Sequence, residues 1–142
     1  TLYERLIDIY TRYGLYKESL LSLSRKGIEG LAEIKKMMDD YRSKPILTVN
    51  GIDVIRIKDY LLQKEKDIEK NGELPILLPK SDVLQFFLRD GSKITVRPSG
   101  TEPKIKFYFG VKAELPDASK FQEANDSLGE KIKGIINSMN LK

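Results

Sequence analysis

Three short runs between residues 82 and 111 alternate apolar and polar residues, and this alternation constrains the fold more than any other feature. Asp82 to Leu88 and Lys93 to Arg97 flank an Asp90-Gly91 turn, so together they predict a β-hairpin. A third run, Ile105 to Val111, has the same period of two. Because successive side chains of a strand point to opposite faces, these runs predict an antiparallel sheet with one buried and one polar face.

The alternation also assigns side chains to the two faces of this sheet. The predicted buried face takes Ile94, Val96, Ile105, Phe107 and Phe109. The predicted polar face takes Lys93, Thr95, Arg97, Lys104, Lys106 and Tyr108.

The stretch from Arg97 to Lys104, with the sequence RPSGTEPK, separates the second and third runs. Pro98 and Pro103 bias the residue before each of them toward an extended backbone, and neither has an amide to donate. We therefore expect sheet pairing to lapse at both prolines. The four amides between them, those of residues 99–102, are expected to be unpaired, and a glycine at position 100 permits a positive φ.

A turn that presents successive N–H groups forms a concave anion-binding site. Ser99 and Thr101 add hydroxyl donors to such a site, and Lys104 adds a positive charge. Arg97 adds a guanidinium, which can hold a phosphate through two parallel hydrogen bonds. The same residues also suit an ordinary surface turn with solvated charges, and turn chemistry alone does not decide between the two interpretations.

Helical periodicity marks three further segments. Leu2, Leu6, Ile9, Tyr10 and Tyr13 predict a helix over residues 2–13, and their apolar stripe suits either a missing neighbour or the core of this domain. A second helix is predicted over residues 28–42 and a third from Pro116-Asp117 onward. A strand is predicted over residues 17–24.

Two segments are less regular. Residues 46–58 are apolar and β-branched around Asn50-Gly51, which indicates either a hairpin turn or a bulge in one long strand. Residues 61–81 contain a charged run and two prolines, and we expect an exposed excursion that is the most mobile part of the chain. The whole pattern predicts an α+β fold, with an antiparallel sheet of about four to five strands and helices on one face.

Composition removes several classes of function. The chain of 142 residues has no cysteine and no histidine, which excludes thiolate zinc sites and the commonest general base. It also lacks a run of about 18 apolar residues, so we predict no membrane span and a cytoplasmic location. The net charge of +4 is spread along the chain. Phe107 and Tyr108 between Lys104 and Lys106 leave nucleic-acid binding as a minor alternative.

The run from Arg97 to Tyr108, RPSGTEPKIKFY, closely resembles a motif of the last domain of the α-D-phosphohexomutases, a family that includes phosphoglucomutase and phosphomannomutase. The resemblance implies a domain over residues 17–142 with a fold related to the TATA-binding protein. Residues 1–16 would then be a helix that ends the preceding domain of a longer chain. By the same resemblance, Arg97, Ser99, Gly100, Thr101 and Lys104 hold the substrate phosphate that is not being transferred.

The resemblance also implies a reaction for the parent enzyme, an isomerase that transfers a phosphoryl group within one sugar phosphate. Such an enzyme uses a phosphoserine, Mg²⁺ and a sugar bisphosphate activator. We find neither a catalytic residue nor a metal ligand in this sequence, so the chain alone should be inactive and should act with the preceding domains of its parent. The sequence does not tell glucose, mannose and pentose phosphates apart. The alternative function is a stand-alone module that binds anions or nucleic acid.

Overall fold

A computed structural model describes residues 1–141, which form three α-helices and eight β-strands. The helices are α1 (Leu2–Tyr13), α2 (Gly27–Ser43) and α3 (Phe121–Ser138). The strands are β1 (Leu15–Ser24), β2 (Thr48–Val49), β3 (Ile52–Asp59), β4 (Lys64–Asp67), β5 (Gly72–Pro75), β6 (Leu84–Leu88), β7 (Lys93–Pro98) and β8 (Lys104–Ala113). A short 3₁₀ turn, Ala118–Lys120, precedes α3.

The strands form one antiparallel sheet in the order β1-β8-β7-β6-β3-β4-β5, with β2 paired to β3 beside this path. Helices α2 and α3 pack on one face of this sheet and bury it. No helix of residues 1–141 covers the opposite face, which is called the open face below. The predicted α+β class with an antiparallel sheet is therefore confirmed. The predicted number of four to five strands is wrong, because the sheet has eight.

The segment over residues 61–81, predicted to be an irregular excursion, accounts for part of the difference. It contains the β4–β5 hairpin, which extends the sheet beyond β3. Charged pairs between neighbouring strands accompany this pairing, with Lys58 3.5 Å from Glu65 and Lys64 3.4 Å from Glu73. All four residues of β4 are charged, and β5 is a four-residue strand with a single large aliphatic side chain, Leu74, so neither shows hydrophobic alternation in the sequence.

Asn50 and Gly51 form a hairpin turn between β2 and β3, which decides between the two alternatives left by the sequence. Their φ angles are 50° and 74°, as a two-residue type I′ turn requires. Asparagine and glycine tolerate this left-handed conformation better than other residues. The bulge lies elsewhere, between Val54 and Arg56, where the register of β3 against β6 shifts.

The core lies between the buried face of the sheet and the helices α2 and α3. The side chains at its centre are at most 1% exposed, and they include Ile94, Ile105, Phe86, Phe107 and Phe109 from the sheet and Met38 and Ile135 from the helices. Burying one such side chain contributes about 1.5–3 kcal/mol. Because Phe107 is buried, it cannot stack on a nucleic-acid base. Of the two aromatic residues that suggested nucleic-acid binding, Phe107 and Tyr108, only Tyr108 is exposed.

Helix α1 touches the domain through Tyr10 of its predicted apolar stripe and through Ile7, which lies outside that stripe. Ile7 is buried, and the Tyr10 ring stacks on Phe121 with a centroid distance of 6.2 Å. Leu2 and Tyr13 are 85% and 68% exposed. Most of the stripe is therefore not part of this domain's core.

An ion pair connects α3 to the turn between β6 and β7. Lys131 donates to one Asp90 carboxylate oxygen, and the Ser92 amide donates to the other over 2.9 Å. Partial burial acts to raise the pKa of Asp90, but these hydrogen bonds outweigh it and hold the pKa below its ordinary value. Because the folded state then favours the charged form, the pair stabilises the fold above the ordinary pKa of 3.8 and loses this effect as the pH falls below it.

We predict that Asp90→Asn lowers the free energy of unfolding by about 1 kcal/mol at pH 7, since an ion pair of this exposure contributes about that much. The difference from the wild type should shrink at pH 3, because the unfolded chain then binds a proton at Asp90 and the favourable charged form is lost. Urea unfolding at both pH values measures it. The matched control is Asp8→Asn, which removes an exposed pair with Arg12 at 3.2 Å and should cost almost nothing. An equal cost for Asp90→Asn at pH 7 and pH 3 would contradict the prediction.

Candidate functional site

The 99–103 loop connects β7 to β8 at one end of the sheet. Pairing of the two strands continues as far as Pro98 opposite Ile105, and the Ser99 amide then donates to the Lys104 carbonyl over 2.8 Å. The predicted lapse at Pro98 is therefore wrong, because a proline lacks only the amide donor and the next residue supplies the closing hydrogen bond. The lapse around Pro103 is confirmed, since this residue lies outside both strands.

Three of the four loop amides have partners, which corrects the expectation that all four are unpaired. Besides the Ser99 amide, those of Thr101 and Glu102 donate to the Ser99 Oγ over 3.4 and 3.2 Å. The Gly100 amide makes no hydrogen bond within residues 1–141. Gly100 does not have a positive φ, so its backbone conformation does not require glycine. Within residues 1–141, the groups of the loop that remain available to a ligand are the Gly100 amide, the Ser99 hydroxyl hydrogen and the Thr101 hydroxyl.

A cavity of about 390 Å³ lies between the loop and the open face. The predicted site residues that line it are Arg97, Ser99, Gly100 and Lys104; Thr101 belongs to the loop but does not line the cavity. Lys106, Ser22 and Tyr108 also line it, and none of them was among the predicted site residues. The alternation already placed Lys106 on the same face as Arg97, so the sequence contained a signal for Lys106. The contribution of Ser22 depends on the pairing of β1 with β8, which has no local signal.

The cations around this cavity differ in their partners. The Lys104 ammonium lies 3.0 Å from the Glu102 carboxylate, which partly neutralises it. Arg97 and Lys106 face each other across β7 and β8, both are exposed, and neither makes an ion pair within the described residues 1–141. These two charges are therefore uncompensated, whereas the Glu102 carboxylate, which also lines the cavity, lies beside Lys104.

The loop is also fixed at its far end. The Arg25 amide, between β1 and α2, donates to the Pro103 carbonyl over 2.8 Å. Arg25 is held in turn by Glu33, with Nε and the carboxylate oxygen 3.2 Å apart, and by the close packing of Gly30. A methyl group at position 30 would come within 2.7 Å of the Arg25 Cβ, so this contact requires a glycine.

Searches for other kinds of site found little in the part of the chain that is described. No cluster of three His, Cys, Asp or Glu residues in it could bind a metal ion. None of its helices combines the length and the apolar character that a membrane crossing needs.

Comparison of the sequence with known protein families identifies the family of this chain. Residues 25–128, which include β7, the 99–103 loop and β8, match the model of the phosphoglucomutase/phosphomannomutase C-terminal domain. The chain belongs to this family. The phosphohexomutase resemblance of the Arg97–Tyr108 motif is thereby confirmed.

Relatives in the family are much longer than this chain. The phosphoglucomutase of Staphylococcus saprophyticus is 35% identical over 126 residues, which are 88% of this chain and 23% of the relative. That of Staphylococcus aureus (strain MRSA252) is 36% identical over 136 residues, or 96% of this chain and 23% of the relative. The chain thus spans about a quarter of their length. The open form of pp63/parafusin, a phosphoglucomutase from Paramecium, aligns with 99% of this chain and 23% of its own at 15% identity and a TM-score of 0.49, a superposition too loose to bear on the site.

We predict that Ser99→Ala loosens the 99–103 loop without unfolding the domain. The substitution removes the acceptor of the Thr101 and Glu102 amides, so both should exchange with solvent several-fold faster, whereas the amide at position 99 keeps its carbonyl partner. Amide hydrogen exchange by NMR measures each rate. Thr101→Ala is the control, because its hydroxyl has no partner within residues 1–141. Unchanged rates at both amides in Ser99→Ala would show that these bonds do not hold the loop.

Proposed function

We propose that the 99–103 loop and the strand ends beside it bind the phosphate group of a sugar phosphate. Two exposed cations without ion-pair partners, Arg97 and Lys106, facing each other beside an unpaired amide, are the observation that carries the proposal. Arg97 would hold the phosphate with its guanidinium, Lys106 with its ammonium, and Gly100 with its amide. Ser99 would donate its hydroxyl hydrogen, because its oxygen already accepts two loop amides.

The roles of Thr101 and Lys104 in this proposal are smaller. The Thr101 side chain does not line the cavity, so it would contact the phosphate only if the loop moved. Lys104 lines the cavity but shares its charge with Glu102, and it would contribute mainly to the positive potential.

The proposed setting of this site is a phosphoglucomutase. Relatives that carry this name are about four times as long as the chain, and the remainder of such a parent would supply the phosphoserine and the Mg²⁺ site. This domain would hold the phosphate that is not reacting, which is a positioning role. Positioning and electrostatic stabilisation supply most of the catalysis in phosphoryl transfer. The chain alone is then expected to show no turnover, even with Mg²⁺ and glucose 1,6-bisphosphate added.

The exposed residues of α1 support a further part of the proposal, that residues 1–16 contact the preceding domain of the parent. Leu2, Ile9 and Tyr13 are at least half exposed and lie on one helix, as expected of a face that a neighbouring domain covers. A glucose phosphate is the favoured substrate, since the relatives are named phosphoglucomutases. The relation to the TATA-binding-protein fold and the cytoplasmic location stay predictions.

The isolated site should bind weakly. Charge-assisted hydrogen bonds contribute about 1.5–3 kcal/mol each. Association itself costs at least about 4 kcal/mol. The difference corresponds to a Kd of about a millimolar or weaker.

We predict that Arg97→Ala weakens the binding of inorganic phosphate by this chain by about tenfold or more, because one charge-assisted contact is lost. Arg97→Lys should recover only part of the affinity, since lysine lacks the two-pronged geometry of a guanidinium. Amide chemical shifts of Ser99 and Gly100 during a phosphate titration measure the Kd. Arg89→Ala is the matched control, because Arg89 pairs with Glu69 and does not line the cavity. If Arg97→Ala bound phosphate as tightly as the wild type, Arg97 would not be part of the site.

A further inference from the structure

The contact between Arg25 and Gly30 lies beside the 99–103 loop but outside its cavity. Arg25 follows β1, and Gly30 lies in the first turns of α2. A Cβ added at position 30 would come within 2.7 Å of the Arg25 Cβ and 2.9 Å of its carbonyl carbon. Because carbon atoms pack at about 3.5–4.0 Å, only a glycine permits the two segments to lie so close together.

The backbone conformation of Gly30 does not itself require a glycine. This residue lies inside α2 without a positive φ, and its amide donates to the Lys26 carbonyl over 3.0 Å, as in an ordinary helix. Glycine is one of the least favourable residues within a helix. The close approach of Arg25 is therefore the feature of the structure that accounts for a glycine at this position.

Arg25 is attached to the loop through its backbone. Ser24, the last residue of β1, pairs with Lys104, the first residue of β8. The Arg25 amide then donates to the Pro103 carbonyl over 2.8 Å, so the contact between the two chain segments continues one residue further, into the loop. The position of Arg25 thus fixes the position of the Pro103 carbonyl.

We propose that Gly30 is a positioning residue of the proposed phosphate site and acts on the 99–103 loop through Arg25 and Pro103. Neither Gly30 nor Arg25 lines the cavity, so neither would touch the phosphate. The inference rests on the proposed function. It adds to that function the element that sets the position of the loop, which is the start of α2.

A methyl group at position 30 would force one of the two segments to move. Extending the 2.7 Å contact to an ordinary 3.4 Å requires a displacement of at least about 0.7 Å. Helix α2 cannot easily move, because its Ile34 and Met38 side chains are 3% and 1% exposed and belong to the close-packed core. The segment at Arg25 would therefore be displaced instead.

The polar contacts of the Arg25 side chain are too weak to prevent this displacement. Its Nε lies 3.2 Å from the Glu33 carboxylate, and its Nη1 donates to the Ser24 carbonyl over 3.3 Å. Glu33 is largely exposed, and exposed ion pairs contribute little to stability. A displaced Arg25 would either stretch its hydrogen bond to Pro103 or move the loop with it. Either change would shift the donors of the loop, whose hydrogen bonds to a ligand tolerate only a few tenths of an ångström.

The first test compares Gly30→Ala with the wild type in NMR titrations with inorganic phosphate, followed at the amides of Ser99 and Gly100. We expect the Kd to rise by about fivefold or more. Urea unfolding should show little loss of stability, because alanine favours a helix more than glycine does. Gly134→Ala in α3 is the matched control. Its added Cβ would also meet an atom at 2.7 Å, but this atom is the Asn50 Nδ2, the end of a side chain that does not line the cavity. The control should keep the Kd within about twofold of the wild type.

The second test needs no variant. Because coupling between two sites is reciprocal, phosphate bound beside the loop should stabilise the hydrogen bond from Arg25 to Pro103. Hydrogen exchange at the Arg25 amide of the wild type should slow several-fold at saturating phosphate. The reference is the Lys44 amide, which donates to the Asp40 carbonyl over 2.8 Å at the other end of α2 and should not respond. If Gly30→Ala did not fold, this measurement would decide alone.

Three results would each overturn the inference while the proposed phosphate site stands. They are wild-type affinity in Gly30→Ala, an equal loss of affinity in Gly134→Ala, and an Arg25 amide whose exchange relative to the reference does not change with phosphate. If phosphate shifts neither Ser99 nor Gly100 in the wild-type chain, the proposed function itself fails, and the inference fails with it.

Discussion

The pairing of β7 with β8 is the interaction on which the rest of this structure depends. Its register runs from Lys93 opposite Gly110 to Pro98 opposite Ile105, and the side chains on its inner face are almost completely buried. Because a shift by one residue would exchange the two faces, burial of the inner face fixes which residues point outward. Arg97 and Lys106 are thereby held on the open face, side by side, at the end of the sheet.

The 99–103 loop obtains its shape from hydrogen bonds rather than from unusual backbone angles. The Ser99 amide makes the last hydrogen bond between the two strands. The Ser99 hydroxyl oxygen accepts hydrogen bonds from the amides of Thr101 and Glu102. The bond from Arg25 to Pro103 attaches the loop to the start of α2. A ligand would thus meet a loop backbone that is already ordered, which lowers the entropic cost of ordering the loop on binding.

The sequence predicted those parts of the fold in which one face of a strand is buried and the other is exposed. The strands β6, β7 and β8 were visible because their apolar residues recur every second position. The β4–β5 hairpin was missed because β4 is entirely charged and β5 is short, so neither strand has such a period. Within the site, Arg97, Ser99 and Gly100 could be named from local chemistry. The partners of the loop amides and the contribution of Ser22 could not, because they depend on how the backbone turns and on which strand lies beside β8.

The most direct test of the anion site is a crystal structure of this chain soaked with tungstate, a phosphate analogue whose metal can be located by anomalous scattering. We expect the strongest anomalous peak within hydrogen-bonding distance of the Gly100 amide and the Arg97 guanidinium, with Lys106 on its other side. A tungstate bound at another basic surface, with the space beside the 99–103 loop empty, would contradict the assignment of this loop as the phosphate-binding site.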